Sequence, residues 1–165
     1  MAVADYFLKI DGIPGESVDK AHKGEIQLES FSWGESTPNL GPGSHTGGGT
    51  AAGRVQMQDM HVVARVNKAS PVLMLACASG KHIKSAVLTV RRTGKQLQDF
   101  LVIKMTDLLV SSYQIGGSSA SNEPPLDQIS FNFASIEVDY RPQNPNGSLG
   151  AVVSGGWDVV KNVPT

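Results

Sequence analysis

One cysteine, Cys77, is present in 165 residues, so no intrachain disulfide can form and a disulfide-stapled fold is excluded. Charge is sparse. Asp, Glu, Lys and Arg make up 18% of the chain, and 14 basic residues nearly balance 15 acidic ones, for a net charge of −1. Without a basic excess there is nothing to hold a phosphate backbone or an anionic membrane surface, so nucleic-acid binding is not expected. Long apolar runs are also missing. The longest, Pro71 to Ala78, is too short to span a bilayer, and the start, Met1-Ala2-Val3-Ala4-Asp5-Tyr6, has neither a basic stretch nor an apolar one. The expectation is a chain made in the cytoplasm without membrane insertion. If secreted, it leaves by a route that reads no cleavable signal peptide. The length fits one domain, residues 1–165.

Catalytic and ligand-binding patterns are equally scarce. Gly48-Gly49-Thr50-Ala51-Ala52-Gly53-Arg54-Val55 has phosphate-loop glycine spacing, but Arg54 replaces the lysine and Val55 the metal-binding hydroxyl. From Val55 onward the chain alternates like a strand, whereas a phosphate loop must open a helix whose amides face the anion. Cys77 and His82 lie five apart without a second ligand pair, against the paired spacings of structural zinc. Cys77 sits in an apolar segment that raises a thiol pKa and so disfavours a thiolate nucleophile. No Gly-x-Ser-x-Gly elbow occurs. Arg91-Arg92-Thr93-Gly94-Lys95 reads as a solvated hairpin end. No catalytic residue, metal ligand or cofactor is expected, and the chain is read as a protein that works through its surface rather than as an enzyme.

What is present is two-residue alternation, the mark of strands. Tyr6, Leu8 and Ile10 alternate with Phe7 and Lys9, and Ala86, Leu88 and Val90 with Val87 and Thr89. Phe100 to Ile103 is a continuous apolar run, read as a strand buried on both faces or lying between the core and a partner. Near the end, the apolar phase slips by one between Phe133 and Ile136, which predicts a bulge or corner at Ala134-Ser135. Several such strands in this length predict a mainly β fold: a β-barrel-like sandwich of two sheets. One segment differs. Ser70 stands where a helix cap belongs, Pro71 at the first helical position and Gly80 just past the end, which predicts one short helix over Pro71–Ser79. It is apolar nearly all round and needs cover on more than one side. The other outlier is a long glycine-rich loop over about Glu35–Ala52. Gly34 to Gly53 holds seven glycines with Pro38 and Pro42.

Several stretches, in this order, carry a resemblance: Gly15-Glu16-Ser17, Ser32-Trp33-Gly34, Gly53-Arg54-Val55 with Gln58-Asp59, and Ser70-Pro71 through Leu73-Met74, Ala76-Cys77 and Gly80-Lys81-His82. To these the second half of the chain adds Leu109 to Ser112, Phe131 to Ala134, Val138-Asp139-Tyr140, Pro142-Gln143 and Gly156-Trp157. Together they resemble the haemolysin-coregulated protein (Hcp) family, the tube protein of bacterial type VI secretion systems. The resemblance covers about Phe7 to Asn162. It implies a β-barrel-like fold with one helix, a homohexameric ring with an open centre, and rings stacked into a tube. That tube would be capped by a spike protein, expelled by a contractile sheath, and loaded with small effector proteins in its lumen. The chain ends soon after Trp157, so a plain tube subunit without a toxin domain is expected.

On that reading, the loop after the second strand would reach the adjacent ring, with Pro38, Leu40, Pro42, His45, Gly48 and Gly49 as stacking candidates. The helix would help hold protomers together through Val72, Leu73, Leu75 and Ala76, with simple core packing as the open alternative. Phe31 and Trp33 share a strand face large enough to demand burial, which turns Ser30 and Ser32 the other way. Tyr113 does the same for Ser112 and Gln114. These four are the candidate lumen contacts. A phage-like tail-tube subunit and a small-ligand-binding β-sandwich are the alternatives.

Overall fold

The computed structural model describes residues 4–37 and 54–165. In chain order the elements are β1 (Ala4–Ile10), β2 (Ile26–Ser32), β3 (Glu35–Ser36), β4 (Gln56–Met57), β5 (Met60–Arg65), α1 (Ser70–Ser79), β6 (Ile83–Arg92), β7 (Gln98–Gly116), β8 (Leu126–Tyr140), β9 (Val153–Asp158) and β10 (Val163–Pro164). Every strand pairing is antiparallel. Six strands run in the order β8-β5-β2-β1-β6-β7, and β7 pairs with β8 to close them into a barrel. The expected mainly β, barrel-like fold is what forms. The two expected layers are opposite walls of one closed sheet, and closure removes the exposed edges an open sheet would have to protect.

Inward side chains fill the barrel. Leu8 and Ile10 from β1, Leu88 from β6, Met60 and Val62 from β5, Met105 and Leu108 from β7, and Ile129 and Phe131 from β8 are buried in one cluster. At about 25 cal/mol per Å² of apolar surface removed from water, this cluster is the main source of stability.

The β6–β7 register shifts between Val90 and Arg91, leaving Phe100 extra, and three further irregularities set which residues face in. On β2 the register shifts between Leu28 and Ser30, leaving Glu29 as an extra residue. On β7 it shifts between Val110 and Ser112, leaving Ser111 extra. Each bulge flips the alternation, so Leu28 and then Phe31 turn inward, as do Val110 and then Tyr113. The third is the predicted corner. The β7–β8 ladder skips the Asp107–Ala134 position, and Asp107 takes φ 49°. Burial passes from Phe133 to Ile136 on β8 and from Met105 to Leu108 on β7, so both strands change phase together. Beyond the corner β8 takes a new neighbour, pairing with β9 from Ser135 to Tyr140.

Helix α1 packs on β7. Ser70 opens it but does not cap it. Its hydroxyl donates to Asp127 Oδ2, and the helix entry is shaped instead by Asn67, whose side-chain oxygen accepts from the Ala69 amide at 2.9 Å. Gly80 ends the helix at φ 65°, as its position predicts. Leu73 and Ala76 sink into the barrel core, while Val72, Met74 and Leu75 stay exposed.

The connection over residues 11–25 covers the outer face of β1 and β6. Its His22 stacks flat on Phe7, with ring centroids 4.3 Å apart. Arg91 is 5% exposed. Its guanidinium lies 4.8 Å from the Phe7 ring and reaches Asp19 at 2.7 Å and Asp5 at 3.3 Å. The solvated hairpin end expected at Arg91 is therefore a buried guanidinium held by two half-buried carboxylates, which pins this connection to the barrel. Gly15 sits against the backbone of Glu25, where a Cβ would lie 2.5 Å from the carbonyl oxygen, so only glycine fits.

Candidate functional site

The four serine and glutamine residues picked from alternation, which lie on two different strands, meet on one face. β2, β5, β8 and β7 are consecutive neighbours, and the register brings Ser32, His61, Ser130 and Ser112 into one row across them. The adjacent row is Ser30, Val63, Gln128 and Gln114. Ser30, Ser32, Ser112, Gln114 and Gln128 are exposed, and His61, Val63 and Ser130 are half-buried. The bulges at Glu29 and Ser111 put these side chains outside. Without them the inward phase of Leu28 and Val110 would carry Ser30 and Ser112 into the apolar core. Bulges that re-aim side chains are commonly found beside functional surfaces.

Apart from Val63, the wall is built of hydroxyls, amides and one imidazole. His61 Nδ1 lies 3.1 Å from the Ser130 hydroxyl. Asp59 borders the rows and is held by the Ser111 hydroxyl at 2.6 Å and the Asn132 amide at 3.1 Å. At the other border Arg65 pairs with Glu29 at 2.7 Å. Past the corner, the outer side of β7 and β8 remains polar: the Thr106 and Ser135 hydroxyls bond, and Lys104 bridges Glu137 and Asp139. The Ser154 hydroxyl and Lys104 together hold the Asp139 carboxyl below its usual range. Sequence reasoning missed His61, Gln128, Ser130 and Asn132. Only pairing register could have found them, since each is an ordinary outward residue on its own strand.

Beneath this wall lies a buried polar lock. Asp127 is 0% exposed and accepts from the Ser70 hydroxyl and from the Tyr113 hydroxyl at 2.7 Å. Burial, and then the bond to Asp127, push the Tyr113 phenol up to about 12. The lock ties α1 to both wall strands, β7 and β8.

Of the loop candidates, Pro38, Leu40, Pro42, His45, Gly48 and Gly49 lie outside the described residues. The roots of the loop are described: Glu35 pairs with Met57 and Ser36 with Gln56, so the loop leaves the barrel from a two-stranded stem. Between stem and barrel is a cleft of about 480 Å³, lined among others by Trp33, Met57, Ile136, Val138 and Trp157. The indole N–H groups of Trp33 and Trp157 are buried without a partner among the described residues. The helix candidates divide: Leu73 and Ala76 serve the chain's own core, and Val72 and Leu75 are available at the surface. No group of three or more His, Cys, Asp or Glu among the described residues could hold a metal ion.

Residues 7–140 match the family model described as type VI secretion system effector, Hcp. The chain belongs to the Hcp family. Protein hcp1 of Pseudomonas aeruginosa is 41% identical over 165 residues, covering 99% of each chain. Among solved structures, one titled as a type six secretion system protein superposes with a TM-score of 0.90 at 27% identity, covering 99% of this chain and 100% of that one. Hcp1 from Salmonella typhimurium superposes with a TM-score of 0.79 at 30% identity, covering both chains fully. Hcp proteins are secreted, structural components of type VI secretion rather than known enzymes, and no helix among the described residues is long and apolar enough to cross a membrane.

Proposed function

We propose that this Hcp protein is a tube subunit of a type VI secretion system. Protomers close into a homohexameric ring, and rings stack through the loop that leaves the β3–β4 stem. The tube is capped by a spike protein, driven out by a contractile sheath, and carries small effector proteins past the wall of Ser30, Ser32, Ser112 and Gln114. On this reading the protein is made in the cytoplasm and leaves with the machine, without a cleavable signal peptide.

The observation that carries the reading is the continuous polar row across four strands. A wall of small hydroxyls and amides offers many weak hydrogen bonds, each worth about 1 kcal/mol net. Such a surface holds varied cargo and lets it go without chemistry. The exposed Val72, Met74 and Leu75 support the ring, because an apolar helix side is best covered by a neighbour, and a head-to-tail contact closes when its rotation divides the circle.

Light scattering after size exclusion tests the assembly. A mass near six protomers, with an open centre in negative stain, is expected, and Ser32→Trp should keep that mass while lowering cargo retention. A stable monomer at micromolar concentration overturns the proposal. It would favour a small-ligand-binding module instead, for which the Trp33–Trp157 cleft is the site. A tail-tube subunit of a phage-like particle would form the same ring but retain no effector.

A further inference from the structure

We propose that His61 sets the charge of the polar wall, so that the wall holds basic polypeptide segments at neutral pH and releases them on acidification. This rests on the reading of the wall as the cargo-facing lumen.

His61 is the one histidine in the two polar rows, and its surroundings are simple. The other described histidines are committed elsewhere: His22 is buried between Glu25 at 3.0 Å and Asp99 at 3.2 Å, and His82 pairs with Asp107 at 2.9 Å. Around His61, β2 contributes Ser32 and β8 contributes Ser130, both uncharged. On its own strand Val63 shares its face, Asp59 stands just before the strand, two residues from His61, and Arg65, two residues beyond Val63, is neutralised by Glu29 of β2. From β7 come Ser112 and Gln114, also uncharged, and Ser111, which bonds Asp59. Among the described residues Asp59 is thus the fixed charge next to His61 without an ion-pair partner, held by the neutral donors Ser111 and Asn132.

The consequence is a change of sign balance at one place. With a neutral imidazole, Asp59 leaves this part of the wall anionic. With an imidazolium the two charges cancel. Histidine is the side chain that changes charge between about pH 5 and 8. The Ser130 hydroxyl can donate to a neutral ring nitrogen or accept from a protonated one, so neither state requires the wall to rearrange. A ring repeats the change in every protomer around one enclosed space, where the fields of like groups add. The partner that feels this most carries clustered lysine or arginine.

The probe is a rhodamine-labelled tetralysine peptide, followed by fluorescence anisotropy at low salt, because exposed charge pairs are screened as salt rises. Binding to the assembled protein is measured at about pH 8 and about pH 5.5, with the mass checked at each pH. Affinity of the unaltered protein should fall about fivefold on acidification, the range of an exposed charge interaction. His61→Gln keeps a hydrogen-bonding side chain and should respond by less than about twofold. Asp59→Asn should bind weakly at both pH values. An intact ring whose His61→Gln form keeps the full response overturns the assignment to His61, as does an unaltered ring with no response. A protein that stays monomeric overturns the ring reading beneath it.

Discussion

Tyr113 shows how one side chain links core, wall and pH. Its hydroxyl donates to the fully buried Asp127, and burial raises its phenol from an ordinary 10 to about 12. A group whose pKa is raised on folding contributes stability that is fully present below its unfolded pKa and is lost as pH rises through the folded one. Unfolding by urea should therefore show stability falling between about pH 10 and 12. Tyr113→Phe should lose that alkaline slope, and at neutral pH it should cost about 1–3 kcal/mol, because Asp127 is left with one donor fewer. An unchanged slope in the variant would place the titrating group elsewhere. Ser70 belongs to the same lock. Its place before Pro71 signals a helix cap, but a buried carboxylate 57 residues away is the stronger acceptor for its hydroxyl. Arg91 is a similar case: in a basic run it reads as solvated, and only the fold supplies Asp19, Asp5 and the Phe7 ring. Arg91 in turn holds the Asp19 carboxyl well below the usual carboxylate range.

At the scale of elements, α1 has a core side and, on the proposed reading, a protomer-contact side, separable by position. Leu73 is 0% exposed and Leu75 is 63% exposed. Leu73→Ala should cost about 2–5 kcal/mol in urea unfolding through the cavity it leaves. Leu75→Ser should change protomer stability by less than about 0.5 kcal/mol, yet shift the ring toward smaller species in light scattering. A ring indifferent to Leu75→Ser would remove α1 from the protomer contact. The strands show a similar division. The three-residue spacing of Phe133 and Ile136 signals a corner, and the same spacing of Leu28 to Phe31 and of Val110 to Tyr113 marks the bulges at Glu29 and Ser111. What spacing leaves open is which strand absorbs the irregularity. At the corner it is Asp107 on β7 that takes the left-handed conformation, opposite the slip read on β8.

For the whole molecule, closure is the governing fact. The order β8-β5-β2-β1-β6-β7 leaves the barrel without free edges, so among the described residues the strands open to edge pairing around a ring are β9, β10 and the β3–β4 stem. The stem isolates the long loop from the barrel, since Glu35–Met57 and Ser36–Gln56 pair at its base. Deleting about ten residues within 38–53 should for that reason leave the ring mass intact, while tubes disappear from negative stain at high protein concentration. Loss of the ring on deletion would show that the loop joins protomers rather than stacking rings.

The sequence by itself determined the strand-rich fold, the single helix with its proline start and glycine stop, the corner near Ala134 and the family. These depend on period, on Pro and Gly backbone limits and on residue order, all of which are local. It also determined that Ser30 and Ser32, and Ser112 and Gln114, turn away from large apolar neighbours. Only the tertiary structure decided that these four stand side by side, that His61 and Ser130 lie between them, that Asp127 locks the helix, and that Leu73 and Ala76 belong to the core. Alternation states which way a side chain turns. Which strands become neighbours, and in what register, is fixed by closing the barrel around one shared core, a condition on all six strands at once.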